Sequence, residues 1–167
     1  MLKRLPNGTP VLIRPIRAED KRLLEDGLRC LSETSIQRRF LSPKKRFSSS
    51  ELRYLSEVDG WNHVALVAES STGRLLAVAR YIRHPEHPEA AEVAIAVCDD
   101  FQRMGLGSLL TEELAQRARM RGVRRFTATM ASDNVPAQRL FAKLTGHLER
   151  HHAGHGVSEL MGDLAAA

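Results

Sequence analysis

Hydrophobic positions recur along the chain with two different spacings. Short apolar or alternating runs predict strands at residues 11–16, 62–69, 75–82, 92–97 and 126–130. Apolar residues three and four positions apart predict helices at residues 18–29, 32–41, 51–58, 105–122 and after 134. This order predicts an α/β fold, in which a mixed, mostly antiparallel sheet is flanked by helices.

Polar residues mark the ends of several of these elements. Ser48 and Glu51 have the spacing of a capping box at the start of the third helix. Asp133 or Asn134 can cap the last helix, and Gly146 is a stop signal after it. Residues 147–152 and 157–164 are interpreted as a closing pair of strands.

The strand at residues 92–97 leads directly into a loop that contains two glycines. Val93, Ile95 and Val97 share one face of this strand, and Glu92 points to the opposite face. The sequence Gln102-Arg103-Met104-Gly105-Leu106-Gly107 then opens a helix. A helix start has unpaired backbone N–H groups and a partial positive charge, so this loop is predicted to receive a phosphate or diphosphate.

Two other kinds of glycine loop do not fit this stretch. A dinucleotide-binding turn requires G-x-G-x-x-G, and a nucleoside triphosphate loop requires a lysine after the last glycine. Ser108 follows Gly107 instead. The pattern Q-x-x-G-x-G therefore needs the flanking sequence for its interpretation, because an ordinary glycine turn can have it too.

Composition limits the classes of protein that need to be considered. The chain has 167 residues, of which 43% are hydrophobic, so we expect a single globular domain over residues 1–167. No apolar run is long enough for a membrane span, and the first residues lack a signal-peptide core. A net charge of +5 suits an anionic ligand, but aromatic residues at 5% do not favour stacking on nucleic acid.

The cysteines and histidines give weaker signals. Cys30 and Cys98 form no disulfide framework or metal-ligand spacing, so we expect no disulfide, no metal and a reducing, cytoplasmic location. His151, His152 and His155 lie close together in sequence. A solvated tail is the preferred interpretation of these histidines, because no carboxylate or cysteine joins them at ligand spacing.

The glycine stretch resembles the acyl-CoA-binding motif of the Gcn5-related N-acetyltransferases. The segment from Asn134 to Leu144 is similar to the second signature of that family, and the resemblance extends over residues 11–144. It implies the fold of that family and acetyl-CoA as co-substrate. It also implies a set of residues that bind acetyl-CoA: Ile95, Val97, Gln102, Arg103, Met104, Gly105, Leu106, Gly107, Ser108, Asn134 and Phe141.

Within the family, residues 14–20 and 91–102 look like the Pat-type protein lysine acetyltransferases. This likeness implies that the acceptor is a protein lysine, for example on an acyl-CoA synthetase. A small-molecule amine as acceptor and a non-catalytic acyl-CoA sensor are the alternatives. We expect a monomer or homodimer without a fused regulatory domain, and no nucleic-acid or membrane partner.

Glu92 is the candidate general base. Burial beside apolar residues is expected to raise its carboxyl pKa and so make it a better proton acceptor. The structural alternative is an ion pair with Arg80 or Arg83 on the neighbouring strand. Two departures from the family pattern stand out: Phe141 replaces a frequent tyrosine, and the signature ends in Leu144-Thr145-Gly146 rather than Leu-Gly-Phe.

Overall fold

The structure is a computed structural model that describes residues 1–164. Its sheet has eight strands in the order β1-β2-β3-β4-β5-β6-β8-β7, and only the β5–β6 pair is parallel. The strands are β1 Leu2–Arg4, β2 Pro10–Pro15, β3 His63–Glu69, β4 Leu75–Arg83, β5 Ala90–Val97, β6 Arg125–Ala131, β7 Thr145–Gly154 and β8 Val157–Leu164. The predicted fold class is confirmed.

Five α-helices cover the two faces of this sheet within the described residues. They are α1 Lys21–Arg29, α2 Glu33–Phe40, α3 Ser49–Ser56, α4 Leu106–Met120 and α5 Val135–Leu144. Short 3₁₀ turns at Ala18–Asp20 and Asp99–Phe101 precede α1 and the glycine loop. None of the helices in residues 1–164 has the length and apolar character needed to cross a membrane.

Each face of the sheet has its own core. On one face, α4 and α5 pack their apolar stripes against the odd-numbered side chains of β5 and the even-numbered ones of β6. On the other face, α1 and α3 cover β3 and β4 around Leu24, Ala65, Val67 and Leu75. That second layer stops short of β6, β8 and β7, where the side chains on the same face as Glu92 are partly or fully exposed.

Local signals identified most helix ends correctly. Ser48 and Glu51 form the predicted capping box, with hydrogen bonds of 2.7 and 3.2 Å between their backbone and side chains. Asn134, rather than Asp133, caps α5 by accepting from the Ala137 N–H. The prediction for Gly146 was wrong, because α5 ends at Leu144 and Gly146 already lies in β7.

The expectation that the cysteines stand apart was also wrong. The structure joins Cys30 and Cys98 in a disulfide whose Cα atoms are 5.1 Å apart. Cys30 follows α1 and Cys98 follows β5, so the bond connects the helical layer to the strand that leads into the glycine loop. The two cysteines are 68 residues apart in sequence, a separation from which no local pattern could reveal the pairing.

The parallel pair β5–β6 is short. Its ladder contains only the three register pairs from Ala90–Arg125 to Glu92–Thr127. Beyond Glu92, the two strands stop pairing and a cavity lies between residues 93–95 of β5 and 128–130 of β6. We call this opening the strand gap.

Candidate active site

The strand gap exposes backbone groups that a continuous sheet would have paired. Cys98 donates its backbone N–H to Leu76 on β4, and the β4–β5 register has no shift between residues 91 and 97. Since backbone groups alternate in direction along a strand, even-numbered residues of β5 point to β4. Ile95 and Val97 therefore present their N–H groups to the strand gap.

The glycine loop, residues 102–108, lies at the end of this gap. Arg103 has φ 60° and Gly105 has φ 84°, both in the left-handed region, so the chain turns sharply before α4. The first helical hydrogen bond of α4 runs from Leu109 N–H to Gly105 O. Among residues 1–164, the backbone N–H groups of 103–108 have no protein acceptor, an arrangement that favours an anion at this helix start.

Gly107 allows α4 to approach the strand gap closely. A Cβ at this position would lie 3.5 Å from Leu140 on α5 and 3.7 Å from both Ile95 and Val97. The cleft in front of the loop has a volume of about 500 Å³ and is bordered by the loop, β5 and the start of α5. The cleft therefore has room for an extended ligand that runs from the loop towards the gap.

The other predicted loop residues have different roles. The Gln102 amide donates to Ser35 Oγ, Val97 O and Asp99 Oδ1 at 3.1–3.2 Å, so it braces the loop against α2 and β5. Leu106 is fully buried and Met104 packs against the core. Arg103 and Ser108 are exposed, and both border the cleft.

Asn134 and Phe141 lie on the α5 side of the strand gap. The Asn134 side-chain oxygen caps α5, and the residue borders both the cleft and the gap. Phe141 is 3% exposed and its ring forms part of the gap wall. The structure therefore brings both predicted residues to the same opening as the glycine loop.

Glu92 lies at the mouth of the gap but is not buried there. Its side chain is exposed, so the expected burial beside apolar residues is wrong. Its two strand neighbours on the same face are Ile82 and Thr127. Side chains at 94 and 96 on that face are alanines, which leaves the carboxylate open to solvent and to the gap.

The ion pair proposed as the structural alternative for Glu92 is absent from the described residues. Arg80 donates to Leu55 O and to His63 Nε2, and Arg83 donates to the carbonyls of Trp61, Pro88 and Arg121. Glu92 has no hydrogen bond or ion pair to a residue in 1–164. The carboxylate is thus available to an incoming group.

Several side chains near Glu92 escaped the sequence analysis. His84 Nε2 lies 2.9 Å from Thr127 Oγ1, directly beside Glu92 on the same face. Arg39 on α2 borders the gap, and burial lowers the pKa of its guanidinium while Glu92 opposes that shift. These contacts join segments more than 40 residues apart, so no local pattern could have indicated them.

Arg80 is the most deeply buried cation near the site. It is 4% exposed, and burial lowers its pKa to about 10. Its partner His63 has a pKa lowered to about 4, chiefly by burial and then by the charge of Arg80. His63 is consequently neutral at physiological pH, with Nε2 accepting from Arg80.

No group of three or more His, Cys, Asp or Glu side chains within residues 1–164 is placed to hold a metal ion. His151 and His152 lie in β7, and their side chains are exposed. His155 occupies the turn between β7 and β8 with φ 49°. The predicted closing pair of strands is therefore confirmed, and the three histidines that lie on it and in its turn are exposed to solvent.

Splayed strands, a helix start with unpaired N–H groups and an exposed carboxylate thus lie together at one end of the sheet. The profile of the acetyltransferase (GNAT) family matches residues 33–147. The chain belongs to this family, as its resemblance in the two signatures predicted.

One curated relative and two solved structures illustrate the likeness. Acetyltransferase Pat of Mycolicibacterium smegmatis is 35% identical over 150 residues, which make up 89% of this chain but 44% of that protein. The GNAT domain of S. lividans PAT superposes with a TM-score of 0.88 at 29% identity, covering 98% of this chain and 96% of that domain. The coverage of 44% means that this chain spans less than half of the Mycolicibacterium protein.

The third likeness concerns the fold alone. A phosphinothricin acetyltransferase from Sinorhizobium meliloti, solved in complex with acetyl-CoA, superposes with a TM-score of 0.70 at 20% identity. The alignment covers 92% of this chain and 88% of that one.

Proposed function

We propose that this protein transfers an acetyl group from acetyl-CoA to the primary amine of a protein lysine. One observation carries the proposal: the unpaired N–H groups of the glycine loop lead directly into the strand gap, whose mouth holds the free carboxylate of Glu92. The loop suits the diphosphate of CoA, and the gap suits its pantetheine arm. The acetyl-CoA bound to a protein of the same fold supports this choice of donor.

The proposed path of the ligand uses the residues predicted from the sequence. The N–H groups from Arg103 to Ser108 hold the diphosphate, and the Arg103 side chain adds positive charge. The pantetheine amides take the place of a missing strand partner and hydrogen-bond to the backbone of Ile95 and Val97. Asn134 lies opposite these residues. Phe141 packs against the arm near its sulfur end.

Glu92 is proposed to act on the acceptor amine. An ammonium group of pKa ~10.4 must lose a proton before its nitrogen can attack the thioester. The exposed carboxylate attracts the ammonium into the gap and takes the proton directly or through a water molecule. A backbone N–H near Val97 donates to the oxygen of the tetrahedral intermediate.

The acceptor side of the molecule favours a cationic chain such as lysine. Glu149 and Glu159 are exposed, and the strand register places both on the same open face of the sheet as Glu92. With Asp163, which pairs with Arg125, four exposed carboxylates therefore lie on this face, although the chain has a net charge of +5. The likeness to Pat-type enzymes, together with this charge pattern, suggests a lysine of an acyl-CoA synthetase.

The test is release of CoA thiol from acetyl-CoA with three acceptors: an acyl-CoA synthetase, a peptide with one lysine, and a small primary amine. We expect the synthetase to give the fastest release and to gain one acetyl group on a lysine, detected by mass spectrometry. Release with the small amine alone would contradict the lysine assignment but keep the N-acetyltransferase assignment. Binding of acetyl-CoA without release in any of the three would contradict catalysis and identify a sensor.

A further inference from the structure

Arg39 occupies the point where the openings around the site meet. It borders the cleft in front of the glycine loop, the strand gap beside Glu92, and a small apolar cavity beneath α2. Its guanidinium lies 5.0 Å from the Phe40 ring and has no hydrogen-bond or ion-pair partner among residues 1–164. Arg39 is thus a partly exposed cation that can pair with an anion entering the cleft or the gap.

The charges around Arg39 do not explain its position. Arg38 and Arg80 are cations too. The charges of Arg39 and Arg80 repel each other, so Arg80 does not offset the charge of Arg39. Glu92 is the one carboxylate on the gap wall, and no N–O distance between it and Arg39 falls within 4 Å. The arrangement therefore leaves room for an anion that is not part of the protein.

The proposed acetyl transfer produces such an anion at this point. The amine nitrogen forms a bond to the thioester carbon, and the carbonyl electrons move to oxygen. When the C=O bond re-forms, the C–S bond breaks and its electron pair leaves on sulfur as CoA thiolate. The nitrogen loses one proton through Glu92 before it attacks and a second proton to water when the amide forms. The thiolate takes one proton from water, so charge balances with the net release of one proton.

The wall of the strand gap offers few groups that can stabilise a leaving thiolate. Its polar side chains are Arg38, Arg39, Glu92, Thr111, Thr129 and Asn134. Thr111 already donates to Gly107 O, and Phe141 has no proton to give. We infer that Arg39 is a further catalytic residue, whose guanidinium stabilises the negative charge on the departing CoA sulfur; this inference rests on the proposed function.

The experiment compares the parent with Arg39→Gln, Arg39→Lys and the control Arg53→Gln, which removes an exposed charge from α3. CoA release is measured with the acceptor that supports turnover by the parent, and thermal unfolding and acetyl-CoA binding check each variant. Arg39→Gln is expected to lower kcat by about 10²–10³, the usual effect of losing one charge-stabilising donor. Arg39→Lys should keep most of the activity, and Arg53→Gln should match the parent.

A second variant separates stabilisation of sulfur from other roles. Phe141→Tyr adds a phenol to the same gap wall, so it should recover roughly tenfold or more of the lost rate in the Arg39→Gln background. It should give no recovery in the Glu92→Gln background, where the defect lies at the amine. The pH profile of Arg39→Lys should keep the midpoint of the parent, because this variant retains a positive charge near Glu92.

Four outcomes would overturn the inference. They are unchanged kcat in Arg39→Gln, a lysine variant as slow as the glutamine one, a rise in the acceptor KM alone, and absence of recovery by Phe141→Tyr. A parent that releases no thiol would overturn the proposed function and this inference together. An active parent with an equally active Arg39→Gln would overturn the inference alone.

Discussion

At the scale of single residues, the proposed reaction depends on Glu92, whose side chain is exposed and has no hydrogen bond or ion pair within residues 1–164. A carboxylate is a far weaker base than an amine. Burial does not strengthen this base in the free protein. In the proposed reaction, Glu92 therefore relies on attraction of the ammonium and on exclusion of water by the bound thioester. Glu92 is placed for both, since it lies at the mouth of the strand gap.

Replacement of Glu92 by glutamine tests its role as a base. The amide keeps the shape but cannot accept the proton, so turnover at pH 7 should fall by about 10² to 10⁴. Part of this loss should be recovered at higher pH, where more amine is already deprotonated. The measurement is kcat/KM from pH 7 to 9.5, with the exposed Glu86→Gln in the loop before β5 as control. Turnover within about twofold of the parent would show that Glu92 is dispensable.

His63 should make the stability of the protein sensitive to acid. Its pKa is lowered to about 4 in the folded protein, mainly by burial, whereas the unfolded chain takes up the proton near 6.5. Between these values the unfolded state binds more protons, so stability is complete above pH 6.5 and is lost as the pH falls towards 4. Because His63 is only partly buried, solvent screening reduces the effect to about 1–2 kcal/mol.

His63→Gln keeps an acceptor for Arg80 but does not titrate. The free energy of unfolding, measured with denaturant at pH 7.5 and 4.5, should fall by about 1–2 kcal/mol more in the parent than in this variant. The exposed His87→Gln is the matched control and should behave like the parent. Equal losses in parent and His63→Gln would contradict the account.

At the scale of elements, the start of α4 is where a helix, a strand and a second helix come closest. Gly105 has φ 84°, and a Cβ there would lie 3.2 Å from Pro6, so substitution at this position strains the fold as well as the site. Gly107 has no such strain, since a Cβ there would make ordinary contacts with Ile95, Val97 and Leu140. It is therefore the better position at which to test the cleft.

Gly107→Val should weaken acetyl-CoA binding while the protein stays folded. The two extra methyl groups would fill the space between α4 and the strand gap, and loss of one hydrogen bond to a charged phosphate corresponds to roughly tenfold in affinity or more. Calorimetric titration measures the affinity, and thermal unfolding checks the fold. Gly146→Val, where a Cβ meets nothing within 4 Å, is the control; undiminished affinity in Gly107→Val would count against the cleft.

The sequence predicted those elements whose signals are local. The capping box of Ser48 and Glu51, the apolar stripe of α4 and the alternation of β5 depend on neighbours within a few residues, and all appear in the structure. β1, with three residues, carries too little pattern to detect. The exposure of Glu92 and the position of Arg39 depend on how α2 crosses β5 and β6, which no local signal encodes.

At the scale of the whole molecule, the disulfide is the feature that the sequence analysis missed entirely. It joins the end of α1 to the end of β5 across 68 residues. A cross-link that closes a loop of this length lowers the conformational entropy of the unfolded chain. This can raise the free energy of unfolding by about 4 kcal/mol. We therefore expect the bond to contribute to the stability of the protein.

Reduction should therefore destabilise the protein. Denaturant unfolding with and without dithiothreitol should differ by up to about 4 kcal/mol in the parent. The double variant Cys30→Ser, Cys98→Ser should have the same free energy of unfolding with and without dithiothreitol. That value should match the reduced parent. Identical curves for oxidised and reduced parent would show that the bond adds no stability.

Covalently, the oxidised chain is a ring with two tails. Residues 30–98 form the ring and carry Glu92 and Arg39, whereas the glycine loop, Asn134 and Phe141 belong to the tail that follows. The exposed Lys45 and Arg46 lie outside helices and strands, inside the ring. A single tryptic cut there should leave one band on a non-reducing gel and two after reduction, because opening a ring does not divide it.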